Sequence, residues 1–129
     1  MTGIPEFSEH YHQDEIMRNF FEKLSSDISV SSQIVAADVG AVAGAGFRSI
    51  LCLSPEETKE RFPNSLQIEQ ASFCSGLGFA DIAIPQSGPI ATPKLEQIKS
   101  VLTKLPSPVL IYSGSDLRAA RIWAEAMAL

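Results

Sequence analysis

The strongest constraint on the fold is an alternation of short apolar segments with longer segments of helical periodicity. The apolar segments are FRSILCLS at 47–54, FADIAIP at 79–85 and PVLIY at 108–112. DISVSSQI at 27–34 alternates apolar and polar residues, which is typical of a short half-exposed strand or hairpin. Strands that alternate with helices pair mostly in parallel, because each helix carries the chain back across the sheet. The pattern predicts an α/β fold, a single domain whose mostly parallel central sheet is flanked by helices on both faces.

Five segments have the composition or the apolar spacing of helices. They are residues 9–24, AADVGAVAGAG at 36–46, SLQIEQASFCSGL at 65–77, the segment that begins with the predicted cap Thr92 and Pro93, and LRAARIWAEAMAL at 117–129. We expect Gly44 or Gly46 to end the second helix and Gly76 or Gly78 to end the third, because glycine tolerates the left-handed backbone of a helix terminus.

Charge and cysteine content narrow the function classes. The chain has 129 residues, which fits one domain, and a net charge of −5, which argues against nucleic-acid binding because that needs a basic face. It has no basic and apolar leader and no apolar run of about 18 residues, so we expect no signal peptide, no membrane span and a cytoplasmic location. Cys52 and Cys74 lie in apolar surroundings and are expected to be buried free thiols. We expect no metal and no cofactor.

The junction PVLIYSGSDLRAARIWA at 108–124 is the most informative stretch for function. The carboxyl ends of parallel strands are where such sheets bind ligands. Here a strand is followed by Ser113, Gly114, Ser115, Asp116 and Leu117, and we expect the helix to start near Asp116 or Leu117. Backbone N–H groups of a small-residue turn and a helix N-terminus attract anions. Arg118, in the first helical turn, has a planar guanidinium that can grip an oxyanion through two bonds. The junction therefore predicts a site for phosphate, sulfate or a similar anion.

Three stretches carry a resemblance to a known family. DISVSSQIVAADVGAVAGAGFRSILCL, IPQSGPIATPKLEQI and PVLIYSGSDLRAARIWA resemble the phosphatase-like domain of the beta-lactamase hydrolase-like proteins. The resemblance covers most of the chain from about Asp27 to Ala124 and implies a fold like that of tyrosine and dual-specificity phosphatases. It also implies a helical extension at 1–26 and a phosphatase-like α/β domain at 27–129. The family's loop is similar to that of rhodaneses and reads roughly Y-C-R-S-G-x-R-S.

Carried onto this sequence, the family's pattern matches Tyr112 before the nucleophile and Ser115 within the loop. Ser113 stands where the pattern has its nucleophilic cysteine, and Gly114 replaces an arginine. A serine hydroxyl needs a neighbouring base to become a nucleophile, whereas a cysteine thiol can ionise in such a loop. Serine also cannot carry a persulfide, so the resemblance implies no sulfur transfer through Ser113.

The second half of the loop keeps one functional residue and changes two. Arg118 retains the anion-binding arginine, while Asp116 replaces a glycine and Ala119 replaces a serine. Four residues separate Ser113 from Arg118, where tyrosine phosphatases have five, so the spacing is nearer to that of rhodaneses. A carboxylate at position 116 repels an anion in the cradle, although an acidic residue at a helix N-terminus is also an ordinary cap.

A general acid is not evident in the sequence. The loop after FADIAIP reads QSGPIA and has no Asp, Glu or His. Asp81 is expected to face solvent or cap an edge, and Glu56 and Glu57 are expected to lie in a solvated loop. VGAVAGAGF has the wrong spacing for a dinucleotide fingerprint, and the residues of EHYHQDE at 9–15 are interpreted as a solvated helix start rather than a metal site.

Two functional hypotheses remain from the sequence. The first is a phosphatase-like domain with a degenerate loop that is inactive, or that serves as a weak module for binding a phosphate-like anion. The second is an active phosphatase on phosphorylated substrates, with Ser113 and Arg118 or residues that the sequence does not identify as its catalytic groups, or a relative of the rhodanese-like sulfurtransferases. The expected partners are a phosphate-like anion, a phosphorylated small molecule or a phosphorylated protein, with neither nucleic acid nor membrane.

Overall fold

A computed structural model describes residues 21–56 and 65–129, and the fold and the site are described over these two ranges. The strands are β1 at Phe21–Lys23, β2 at Ile28–Ser31, β3 at Ser49–Pro55, β4 at Gly78–Ile84 and β5 at Val109–Tyr112. A 3-10 turn at Ala36–Asp38 leads into helix α1 at Val39–Gly44, and the other helices are α2 at Ser65–Cys74, α3 at Thr92–Lys104 and α4 at Asp116–Met127.

The five described strands form one sheet in the order β1-β2-β5-β3-β4. The β2–β5, β5–β3 and β3–β4 pairs are parallel, and β1 pairs with β2 in the antiparallel direction. The predicted α/β fold with a mostly parallel sheet is therefore confirmed. Strand β5 lies in the middle of the sheet, so the loop that follows it opens at the centre of the carboxyl edge.

Alternate residues of the central strands point to opposite faces and build two apolar cores. On one face, Leu51, Leu53 and Ile111 pack with buried residues of α3 and α4. On the other face, Ile50 and Leu110 pack with buried residues of α1 and α2. This three-layer arrangement explains why the strand segments are apolar at nearly every position: both sides of the sheet are covered by helices.

The amino-terminal part of the described chain differs from the prediction. A helix is predicted over 9–24; residues 9–20 lie outside the described ranges, and Phe21–Lys23 is strand β1. β1 hydrogen-bonds the outer edge of β2, and the Phe21 ring meets the Phe47 ring edge-on at 4.9 Å between centroids. All four β2 residues are buried rather than half-exposed. β2 is an inner strand between β1 and β5, and its Ile28 and Val30 side chains pack in the core beside α3 and α4. The predicted division at 26/27 stays a prediction.

Two of the predicted glycine stops are confirmed. Gly46, at a φ of 102°, follows α1, and Gly76, at a φ of 76°, follows α2. The amide N–H that follows Gly76 bonds back to the carbonyl oxygen of Ser72 at 2.8 Å, which closes the helix end. Gly78 is instead the first residue of β4. The predicted cap at Thr92 is shifted by one residue, since Ala91 has the extended backbone of the N-cap and Thr92 is the first helical residue.

The predicted burial of Cys74 on α2 is wrong. The side chain of Cys74 is exposed, while Cys52 is fully buried in β3 as predicted. Two large apolar side chains of α2, Leu66 and Phe73, are also exposed, at 53% and 85%. Ile68 is the large apolar side chain that α2 buries against the sheet, because Leu66 and Phe73, seven residues apart, lie on the opposite side of the helix.

Candidate functional site

The carboxyl edge of the sheet contains a cleft of about 280 Å³. The carboxyl ends of β3 and β4 and the segments that follow β4 and β5 contribute to it, as expected for a parallel sheet. It is lined by Leu53, Pro55, Ile84, Pro85, Gln86, Ser113, Gly114, Ser115 and Arg118. Four of the six residues predicted to form the site therefore meet in one cleft, and the two that do not line it are Asp116 and Leu117.

Ser113 occupies the first position after β5, where the predicted nucleophile would stand. Its side chain is almost fully buried, with 3% of its surface exposed. Its hydroxyl donates a hydrogen bond to the carbonyl oxygen of Ser115 at 2.5 Å and accepts one from the amide N–H of Ser115 at 3.2 Å. The backbone of the loop therefore uses this hydroxyl both as a donor and as an acceptor.

Side chains at the N-terminus of α4, beside Ser113, accept hydrogen bonds from the first backbone amides of the helix. Ser115 is the N-cap of α4, and its hydroxyl oxygen accepts from the amide N–H of Arg118 at 3.3 Å. Asp116 is the first helical residue rather than the cap, and one of its carboxylate oxygens accepts from the amide N–H of Leu117 at 2.9 Å. Three amides of the predicted cradle, those of Ser115, Leu117 and Arg118, thus already have acceptors within the loop.

Arg118 reaches across the cleft to the loop that joins β4 and α3. Its Nη2 atom donates to the carbonyl oxygen of Pro85 at 2.6 Å and to that of Gly88 at 3.3 Å. Its Nε atom is buried and has no hydrogen-bond partner within the described ranges. The guanidinium therefore anchors the β4–α3 loop with one nitrogen and keeps another donor uncommitted.

Asp81 and Glu56, two of the acidic residues considered as proton donors, do not line the cleft. Asp81 and Ser54 alternate with strand residues that face the core beside α3 and α4, so both point to the α2 face of the sheet. There, the Ser54 hydroxyl donates to a carboxylate oxygen of Asp81 at 2.7 Å. Glu56 lies 3.8 Å from the ammonium of Lys94, in a partly exposed ion pair. Glu57 lies outside the described ranges.

Among the described residues, the hydrogen-bond partners of the Ser113 hydroxyl belong to the loop backbone. A serine nucleophile needs a base that accepts its proton, but the Ser113 proton is directed at the Ser115 carbonyl oxygen. The histidines of the chain, His10 and His12, both fall in residues 1–20, outside the described ranges, as does the EHYHQDE segment. What the described cleft offers an anion is the guanidinium of Arg118 and the amides that the loop leaves open.

Sequence reasoning did not identify the partners that hold Arg118. The carbonyl oxygens of Pro85 and Gly88 belong to the backbone, so no residue type in QSGPIA marks them as ligands of a guanidinium. The apolar walls formed by Leu53 and Ile84 were also not singled out, because in sequence they read only as strand interior. The signal available was topological: the carboxyl ends of parallel strands share one edge of the sheet, and ligands bind there.

The family model for the phosphatase-like domain of beta-lactamase hydrolase-like proteins matches residues 20–129. The chain belongs to this family. The resemblance inferred from the sequence is thereby confirmed, and the match includes strand β1 as well as the rest of the sheet. A search of curated proteins found no match to the domain.

The domain shares the tyrosine-phosphatase-like fold of several solved structures. A candidate phosphatase from Neisseria meningitidis is 26% identical, with a TM-score of 0.70 over 83% of this chain and 75% of that one. A candidate phosphatase from Shewanella putrefaciens has 15% identity and a TM-score of 0.67 over 84% and 67% of the two chains. The core catalytic domain of the PP-IP phosphatase SIW14 from S. cerevisiae, solved with citrate, has 17% identity and a TM-score of 0.60 over 74% and 56%.

The phosphatase-like domain contains no helix long and apolar enough to cross a membrane within residues 21–56 and 65–129.

Proposed function

We propose that this phosphatase-like domain is a non-catalytic module that binds a phosphate-like anion weakly through Arg118. The observation that carries the proposal is the pairing of the Ser113 hydroxyl with both backbone groups of Ser115. Deprotonation and attack would require this hydroxyl to leave the turn and to find a base, and neither step is supported by a neighbouring group among the described residues.

Loss of the leaving-group acid supports the same proposal. A phosphatase of this type protonates the departing oxygen with a side chain close to the scissile bond. The described side chain that the β4–α3 loop contributes to the cleft, besides Pro85, is the amide of Gln86, which does not titrate. Asp81 lies on the opposite face of the sheet and pairs with Ser54. Both halves of acid–base catalysis therefore lack a candidate in the described cleft.

Anion binding is supported by what the loop retains. Arg118 lines the cleft together with Ser113, Gly114 and Ser115, and its buried Nε lacks a hydrogen-bond partner among the described residues. A buried donor without an acceptor costs free energy, so an oxyanion that accepts from it is favoured. We expect weak binding, with a Kd on the order of millimolar, because three of the loop amides are already occupied. Phosphorylated small molecules and phosphorylated proteins are the partner classes that this proposal implies.

Calorimetric titration with inorganic phosphate tests the proposal. Arg118→Ala should abolish binding, whereas Arg48→Ala should not, because Arg48 is an exposed arginine that precedes β3 at the opposite edge of the sheet. The wild-type chain should release phosphate from an aryl phosphate no faster than buffer alone does. Phosphate binding that survives Arg118→Ala, or robust turnover by the wild-type chain, would refute the proposal.

A further inference from the structure

A second cavity, of about 260 Å³, adjoins the cleft at the start of α4. It is lined by Ser115, Leu117, Arg118 and Arg121. Ser115 and Arg118 also line the cleft of about 280 Å³. Because the two cavities share these residues, two groups of one ligand that are joined by only a few atoms can lie one in each cavity.

Arg121 is the cationic residue that the second cavity adds. It lies one helical turn after Arg118, so both side chains project from one side of α4, with Cβ atoms about 5–6 Å apart. Arg118 already donates to the carbonyl oxygens of Pro85 and Gly88. Arg121 is exposed and has neither a side-chain hydrogen bond nor an ion pair with a residue of 21–56 or 65–129. Its planar fork of donors is therefore available to an oxyanion.

The charges around the two cavities favour a ligand with more than one anionic group. The described residues that line them include two arginines and no acidic residue. Asp116 and Glu125, the acidic residues of α4, line neither cavity. A phosphate group bound beside Arg118 therefore leaves the charge of Arg121 uncompensated, and a second anionic group of the same ligand would gain from that charge.

From the shared lining and the two arginines, we infer that the ligand is a small phosphate ester that carries a second anionic group a few atoms from its phosphate. The phosphate group lies in the cleft beside Arg118, and the second group lies in the adjoining cavity and accepts from Arg121. This inference rests on the proposed function, because it assumes that Arg118 binds the phosphate group. It adds Arg121 as the residue that determines which phosphate esters bind.

A matched pair of ligands tests the inference on the whole 129-residue chain by calorimetry at pH 7.5 and low salt. 3-Phosphoglycerate and glycerol 3-phosphate have the same phosphate group on the same three-carbon body. They differ at the far carbon, which is a carboxylate in the first and a hydroxymethyl group in the second. 3-Phosphoglycerate should bind about threefold tighter, the effect of one exposed ion pair with Arg121. The preference should decrease at high salt, because salt screens exposed charges.

Two variants with the same change of charge separate the contribution of Arg121 from that of the net charge. Arg121→Gln keeps a long polar side chain but removes the charge. It should lower the affinity for 3-phosphoglycerate to that for glycerol 3-phosphate and leave the affinity for glycerol 3-phosphate unchanged. Arg48→Gln removes one charge from an exposed position that precedes β3, and it should preserve the preference. Arg118→Ala should abolish binding of both esters and of inorganic phosphate.

The outcomes distinguish this inference from the function on which it rests. If inorganic phosphate and glycerol 3-phosphate bind through Arg118 but 3-phosphoglycerate binds no tighter, the ligand class is wrong and the anion-binding function stands. The same conclusion follows if the preference survives Arg121→Gln, or if Arg48→Gln removes it equally. If inorganic phosphate and both esters fail to bind, the inference and the proposed function are both wrong. The comparison of the two esters on the wild-type chain decides the inference if Arg121→Gln fails to fold in a thermal melt.

Discussion

Replacing Ser113 with alanine should destabilise the domain, because the hydroxyl is part of the turn that starts α4. The change removes the hydrogen bond to the Ser115 carbonyl oxygen at 2.5 Å and the one from the Ser115 amide at 3.2 Å. A hydrogen bond of this kind contributes about 0.5–1.5 kcal/mol net. Ser115 itself is exposed, so water can replace part of the loss. We therefore expect a decrease of about 1–2 kcal/mol in the free energy of unfolding.

For a domain of this size, that decrease corresponds to a lowering of Tm by roughly 3–8 °C. Urea denaturation and thermal melts of Ser113→Ala measure it directly, and Ser87→Ala serves as the control, because Ser87 is an exposed serine in the β4–α3 loop. The control should stay within about 0.5 kcal/mol of the wild-type chain. If Ser113→Ala were as stable as the control, the hydroxyl would not be held by the turn, and the reasoning that denies it a nucleophilic role would fail.

Two further predictions follow from burial. Gly78→Ala places a Cβ 2.8 Å from the Ser49 hydroxyl oxygen, so it should lower the free energy of unfolding by about 1–3 kcal/mol in urea denaturation. Gly40→Ala is the control, because Gly40 lies in α1 and has nothing within 4 Å of the added methyl group. It should be neutral or slightly stabilising. A thiol reagent should modify Cys74 in the native chain and reach Cys52 only after denaturation, because Cys74 is exposed and Cys52 is buried. Equal destabilisation by the two glycine substitutions, or rapid native labelling of both thiols, would contradict the packing described here.

The order and type of most elements could be predicted because local pattern and tertiary environment agree. Strands β3, β4 and β5 are short apolar segments bounded by Gly or Pro. Helices cover both faces of the sheet that these strands form, as the sequence implies. The α4 segment begins at Asp116, one of the two positions expected from its polar start. Local rules were sufficient at these places because burial and intrinsic preference favour the same structure.

The wrong predictions occur where contacts with residues distant in sequence determine the local structure. Phe21 fits a helical stripe, yet it lies in a strand because the outer edge of β2 offers unpaired backbone groups. Phe73 fits the same kind of stripe in α2, but the sheet accepts Ile68 instead. An apolar spacing gives the period of a helix without stating which side of it faces the core.

The position of the candidate site could be predicted from the sequence, but its hydrogen bonds could not. Its position after β5 and the presence of Arg118 follow from the strand–turn–helix pattern. The two hydrogen bonds of Ser113 and the capture of Arg118 by the carbonyl oxygens of Pro85 and Gly88 depend on backbone geometry that residue types do not encode. These contacts identify which donors and acceptors of the loop are already hydrogen-bonded within the protein.

The most direct measurement is the initial rate of phosphate release from an aryl phosphate by the wild-type chain and by Ser113→Ala, each at high enzyme concentration. We expect both rates to equal the rate in buffer, because the Ser113 hydroxyl is bonded to the Ser115 backbone as donor and as acceptor. Measurable release by the wild-type chain that disappears in Ser113→Ala would show that this oxygen attacks phosphorus, and it would contradict the central claim.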